Sequence, residues 1–201
     1  MMRKKYILFV MFITLFSVSC SDSKLVTIGK APKFSFTNQN NQTISNKDYE
    51  GKVYVVDFFF TTCPTICPIM TSSMVKVQNA FEGKDIGFAS FSINPENDTP
   101  EVLREYAKQH GITSPNWHLL TGDEKAIYDL ANNGFNLHAQ NNAKGIDGFE
   151  HSGLFALIDQ KGNIVSRKDA NGNPIIYYDG LEDSQIEMLI EDIKLLLIGT
   201  P

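Results

Sequence analysis

Between Val53 and Phe60 the chain runs Val-Tyr-Val-Val-Asp-Phe-Phe-Phe, rich in β-branched and aromatic side chains and without clean alternation of apolar and polar residues. A strand with one face in water alternates, whereas one buried on both faces need not, so this run predicts a strand of a sheet covered on both faces. Thr61-Thr62-Cys63-Pro64-Thr65-Ile66-Cys67-Pro68 follows at once. Ile69, Met70, Met74, Val77 and Phe81 then recur at helical spacings, which predicts a helix over Cys67 to Phe81. Two thiols four residues apart therefore stand where a buried strand meets a new helix, and few purely structural roles need that arrangement.

The rest of the chain reads as further strands and helices. Phe88 to Ile93 is a second strand. Thr99 and Pro100 supply the N-cap and first turn of a helix that runs to about His110 and stops at Gly111. Trp117 to Leu120 is a short strand, and Asp123 to Asn132 a helix ending near Gly134. The polar, aperiodic run within Phe135 to Glu150 is expected to be an exposed loop. Leu154 to Asp159 and Ile164 to Lys168 make a hairpin, and Ser184 to Ile198 a last helix with Ile186, Leu189, Ile190, Ile193 and Leu197 on one face. The order predicts an α/β domain with a central mixed sheet flanked by helices. Early parallel βαβ units followed by an antiparallel hairpin suggest a thioredoxin-like fold, with Cys63 at the first strand-to-helix turn. Phe34 to Phe36 and Thr43-Ile44 would add an N-terminal β-hairpin.

Residues 1–19 stand apart. Arg3, Lys4 and Lys5 precede an apolar run from Tyr6 to Phe16, then Ser17-Val18-Ser19-Cys20. Eleven apolar residues are short for a bilayer span, which takes about 20 in a helix, so the segment reads as a secretory signal peptide. A cysteine after small residues at the cleavage point suggests a lipoprotein signal, with Cys20 acylated and residues 20–31 a tether that holds a domain of residues 32–201 off a membrane. This places the protein in the cell envelope, exported and membrane-anchored, with its domain facing the periplasm. Removing residues 1–19 leaves 15 basic against 23 acidic residues, a formal charge of −8, which argues against nucleic acid as a partner.

With Cys20 carrying lipid, Cys63 and Cys67 remain, and an oxidising envelope would close them into a disulfide unless a reductant or metal keeps them open. The positive end of a helix dipole stabilises a thiolate at Cys63. Cys67, one turn on, lets the two sulfurs converge on each other or on a small ion. Two thiolates are a soft donor pair that favours Cu(I), with Zn(II) as competitor. A third donor is offered by His151, just before the strand from Leu154. Thioredoxin-type oxidoreductases carry a cis-proline there, whereas this chain has no proline between Asn116 and Pro174. His138 is a weaker fourth candidate, His110 suits a helix C-terminus, and His118 suits packing beside Trp117. Met70 and Met74 fall on the apolar stripe of the helix. Asp57 is either a buried carboxylate acting on a thiol proton or a residue bonded to backbone near a sheet edge.

Three blocks, Phe58 to Pro68, Ser92 to Glu101 and Glu150 to Asp159, together resemble the motif blocks of the Sco/SenC family, and the similarity extends over nearly all of the chain after about residue 30. The resemblance implies a membrane-tethered thioredoxin-fold protein that binds copper through Cys63, Cys67 and His151, with Cu(I) as the state that two thiolates favour and binding of Cu(II) left open. It further implies a role in assembling the binuclear copper centre of cytochrome c oxidase, by delivering copper to the subunit that bears it or by reducing that subunit's cysteines. An upstream copper donor or thiol reductant would then supply Cys63 and Cys67. The same pair as a redox-active dithiol supports an alternative, a thiol-disulfide oxidoreductase acting on envelope protein cysteines. Thr65 stands where many members carry an acidic residue, and Asn94 where Asp is common.

Overall fold

Every residue from Val53 to Phe59 is buried, as a strand with neighbours on both edges and cover on both faces must be. A computed structural model describes residues 25–146 and 149–199. In chain order the strands are β1 (Leu25–Lys30), β2 (Ser35–Asn38), β3 (Thr43–Ser45), β4 (Val53–Phe59), β5 (Ile86–Ser92), β6 (Trp117–Thr121), β7 (Ala139–Ile146), β8 (Phe149–His151), β9 (Leu154–Ile158), β10 (Asn163–Arg167) and β11 (Tyr178–Asp179). The helices are α1 (Ile66–Ala80), α2 (Pro100–Gln109), α3 (Glu124–Asp129) and α4 (Asp183–Ile198).

The main sheet has the order β1-β10-β9-β4-β5-β6-β2-β3, with β11 also paired to β9. β4, β5 and β6 are parallel, and β9 runs antiparallel against the other edge of β4. This is the expected mixed sheet, and the expected N-terminal hairpin is β2 with β3, where Phe36 faces Ile44. Alternation along β4 sends its side chains to two cores. Phe58 stacks on Phe91, which also meets Phe34 and Phe36 edge-on, and Phe58 further contacts Phe135. On the other face Phe59 packs on Tyr106 of α2, whose hydroxyl shares a 2.7 Å hydrogen bond with Thr71 of α1.

Leu25–Lys30, assigned above to the tether, is a strand antiparallel to β10, so the folded unit begins before residue 32. Its Leu-Val-Thr-Ile run has the β-branched composition of a strand, set between polar Ser21 to Lys24 and Gly29-Lys30. The expected exposed loop over residues 135–150 contains a two-stranded antiparallel sheet, β7 with β8. Asn132 brackets its first residue, donating to the Ala139 carbonyl at 2.7 Å and accepting from the Ala139 amide at 3.0 Å, so a side-chain amide does the work of a strand neighbour. The helix expected over Asp123 to Asn132 is α3 followed by a π-helical turn, Leu130–Phe135, that ends on left-handed Asn136. The signal peptide and Cys20 lie outside the described residues, and among those described no helix is long and apolar enough to cross a membrane.

α4 is fixed by a buried ion pair. The Arg167 guanidinium donates in a fork to Asp192, Nε to Oδ2 at 2.7 Å and Nη2 to Oδ1 at 2.8 Å. Tyr178 donates to the same carboxylate at 2.6 Å, so β10, β11 and α4 meet on one fully buried acid. Removing one partner of such a pair strands the other charge. Arg167→Leu is therefore expected to lower urea-unfolding stability by about 3–5 kcal/mol, and Arg167→Leu with Asp192→Leu by much less.

Candidate metal centre

Antiparallel pairing of β9 with β4, with Val56 facing Ala156, puts the start of β9 beside the end of β4. The chain leaves β4 through Phe60, turns with the Cys63 amide bonded to the Phe60 carbonyl at 3.3 Å, and starts α1 at Ile66. Cys63 thus lies in the turn rather than on the helix, so the sulfurs converge because the turn folds back, not because they share a helix face. Cys67 is in the first turn of α1 and fully buried, and both thiols are free. His151 ends β8, three residues before β9, with its ring edge-on to Phe60.

The Cys67 sulfur is 3.0 Å from His151 Nε2, and the ligand atoms of Cys63, Cys67 and His151 all lie within 4.8 Å of one another. Bonds from N and S donors to a first-row ion run about 2.0–2.3 Å, so two donors across one ion stand about 4.6 Å apart at most. No pair in the group exceeds that limit by more than about 0.2 Å, so one ion could reach all three donors with small shifts. His151 Nδ1 is 3.0 Å from the Ser152 carbonyl oxygen. A carbonyl only accepts, so the proton sits on Nδ1 and the lone pair of Nε2 points at the sulfurs. Two soft sulfurs and one imidazole, nearly closed to water, fit Cu(I).

The two thiols are electrostatically unlike. Burial works against ionisation of Cys63, but hydrogen bonds at its sulfur, those from the Cys67 and Thr65 backbone among them, outweigh it and bring the thiol down to about 6. Burial pushes the Cys67 thiol up, the Phe60 backbone opposes this only in part, and the neighbouring Cys63 raises it further. Cys63 is therefore the thiolate and nucleophile at neutral pH, as its place before a helix start predicts.

The other candidates divide. Met70 and Met74 are fully buried core residues. His118 lies 3.2 Å from Asn38 Nδ2, beside Tyr49, and His110 packs on Tyr106. His138 is half-exposed, 3.9 Å from Glu150, and is not part of the sulfur group. Asp57 is in a central strand, not at a sheet edge, and accepts from Ser90, which in turn accepts from Trp117 Nε1 at 3.0 Å. Sequence reasoning missed Asp98, read only as the residue before a helix cap. It is fully buried and accepts from the Thr61 amide at 3.0 Å, the Thr61 and Ser92 hydroxyls and Asn97 Nδ2, fastening the cysteine turn to the β5–α2 connection. A buried acid among hydroxyls two residues from a reactive turn is a signal only once the fold brings residues 61 and 98 together.

A thioredoxin-like domain with a convergent two-cysteine, one-histidine group defines a class of dithiol metal-binding proteins. The SCO1/SenC family model matches residues 26–184, and the chain belongs to that family. It is 32% identical over 164 residues to a SCO1 protein homolog of Bacillus subtilis, covering 80% of this chain and 79% of that one. A SCO1/SenC family lipoprotein of Bacillus anthracis superposes with a TM-score of 0.73 at 34% identity, over 84% of this chain and 95% of that one. BsSco, a member of the Sco family of cytochrome c oxidase assembly proteins in which a disulfide switch was identified, gives a TM-score of 0.72 at 29% identity, over 87% and 97%.

Two outcomes are expected. Burial raises the Asp57 carboxyl to about 6, against partial relief from Ser90 and His151. The folded state then keeps a proton that the unfolded state has lost between about pH 4 and 6. Stability through this group is full below that window and falls as pH rises through it, at about 1.4 kcal/mol per pH unit or about 3 kcal/mol in all. Urea unfolding of metal-free Asp57→Asn beside the parent should show the gap open over that window and stay level above it. Asp98→Asn, which leaves one carbonyl oxygen for four donors, should cost about 2 kcal/mol and speed hydrogen exchange at the Thr61 amide.

Proposed function

We propose that the protein is a copper chaperone that holds Cu(I) on Cys63, Cys67 and His151 and passes it by ligand exchange to the subunit bearing the binuclear copper centre of cytochrome c oxidase. The observation that carries this reading is the convergence of two thiols and an imidazole lone pair in one buried group. Membership of the family supports the oxidase as the destination, since BsSco is an oxidase assembly protein. The protein is held in the cell envelope through acylated Cys20, a reading supported by a lipoprotein relative. An upstream copper donor or thiol reductant keeps the site supplied.

Copper delivery and thiol chemistry are linked at this site. Closing Cys63 and Cys67 into a disulfide removes two electrons and the proton of Cys67 and takes away two ligands, so oxidation by an envelope disulfide, itself reduced to two thiols, would shut off copper binding. A second reading, thiol-disulfide oxidoreductase, is favoured by the lowered Cys63 thiol. Its step is attack of the Cys63 thiolate on a substrate disulfide, expulsion of one substrate thiolate, and resolution of the mixed disulfide by Cys67.

Copper titration of the reduced protein in competition with a Cu(I) chelator should give one tight site, weakened at least about 10-fold in His151→Ala, since even a residue that merely orients a ligand is worth that much. An unchanged affinity and spectrum in the variant would remove His151 from the site. In metal-free buffer, loss of exchange with a protein disulfide in Cys63→Ser would support the second reading.

A further inference from the structure

The chain enters the fold at the same end of the sheet as the metal group. Leu25 pairs with Arg167, the last residue of β10. Val165 pairs with Leu157, which pairs with Val55. Two residues further along, β11 enters between β10 and β9, with Tyr178 paired to Phe155, so Arg167 and Leu25 stand near the level of Asp57, one strand further out. With β11 counted, β1 lies four strand spacings from β4 at this level, about 19 Å away. From Asp57 the chain runs on through Phe60, about 10 Å further, before it turns into Cys63. The metal group thus projects beyond the point at which the chain joins the sheet.

The covalent chain limits how the domain can stand on a bilayer. Cys20 to Leu25 is five residues, which span at most roughly 17 Å. β1 itself, from Leu25 to Lys30, is also about 17 Å long, and it ends level with the far end of the sheet, where Lys30 pairs with Asn163. There the turn after β9 meets the end of α4, with Gln160 Nε2 donating to the Leu196 carbonyl at 3.0 Å. For that far end to face the membrane, the tether would have to lie fully extended along the whole of β1, with no length left to reach the headgroups. Resting on the reading that Cys20 is the anchor, we infer that the domain is held with its metal-site end toward the bilayer, and that it exchanges copper with a membrane-bound partner whose thiolate or imidazole ligands stand within roughly 20 Å of the headgroups.

The surface at this end suits a close approach. Ile69, two residues beyond Cys67, is 51% exposed, Ile176 is 44% exposed, and Leu181 is 39% exposed. Leu181 covers Gly153, where a Cβ would lie 3.2 Å from it, two residues from His151. Ile176 is placed by its amide, which donates to Ser166 at the β1 side of the sheet. The far end has its own exposed isoleucine, Ile198, at the end of α4.

These isoleucines are built-in reporters. Full-length acylated protein with labelled isoleucine methyls would be placed in nanodiscs containing a lipid with a nitroxide on its headgroup. The expected result is loss of the Ile69 and Ile176 methyl signals with Ile198 retained. A Gly/Ser insertion of about 20 residues between Ser23 and Lys24, with a root-mean-square span near 25 Å, should remove the difference. Equal loss at both ends, or loss at Ile198 alone, in protein whose mass shows acyl chains on Cys20 would overturn the orientation and leave the anchor standing. A mass without acyl chains would overturn the anchor, and the orientation with it.

Discussion

The antiparallel pairing of β9 with β4 is the contact on which the site depends. β4 ends in the cysteine turn and β9 begins just after His151, and only opposed neighbours bring one strand's end beside the other's beginning. The pairing is buried on both faces, so its register is specified by packing rather than by any residue of the site. A slip of one residue would turn Phe58 and Phe59 to each other's faces and carry His151 away from the sulfurs.

Around that pairing the site is tuned by small polar contacts. The Ser152 carbonyl fixes the tautomer of His151, so the imidazole meets the sulfurs with a lone pair rather than a proton. Backbone groups of the turn stabilise charge on Cys63 while burial suppresses it on Cys67. One thiol is thus prepared to attack or bind, and the other waits until a metal or a disulfide partner takes the place of its proton. Asp98 holds the turn from beneath, at a distance from the sulfurs that leaves their chemistry to the backbone.

Much of this was legible in the chain. The unalternating run at Val53 could only be a doubly covered strand, the helical stripe after Cys67 announced α1, and the missing proline before Leu154 drew attention to His151. What was not legible has a common cause. β7–β8 is built from polar and mixed residues whose ladder is made by backbone groups, and β1, though Leu-Val-Thr-Ile is rich in β-branched residues, lies partly exposed at the sheet edge with no period of burial. The Asp98 cluster and the Arg167–Asp192–Tyr178 knot join residues far apart in sequence, and each member alone has an ordinary local explanation. Asp57 shows the same limit. Its place in a strand could be read, but whether that strand was central or at an edge could not.

The two kinds of ligand rest on supports of unequal strength. Cys63 and Cys67 are rooted in β4 and α1, at the centre of the core, whereas His151 ends a two-stranded sheet separate from the main one, and such a pair is only marginally stable by itself. A metal carrier has to let go as well as hold on. Here the imidazole can swing aside at the expense of one small hairpin, opening a coordination position for an incoming donor while both sulfurs keep their grip, so the order of ligand release is set by the relative stiffness of the elements that carry the ligands.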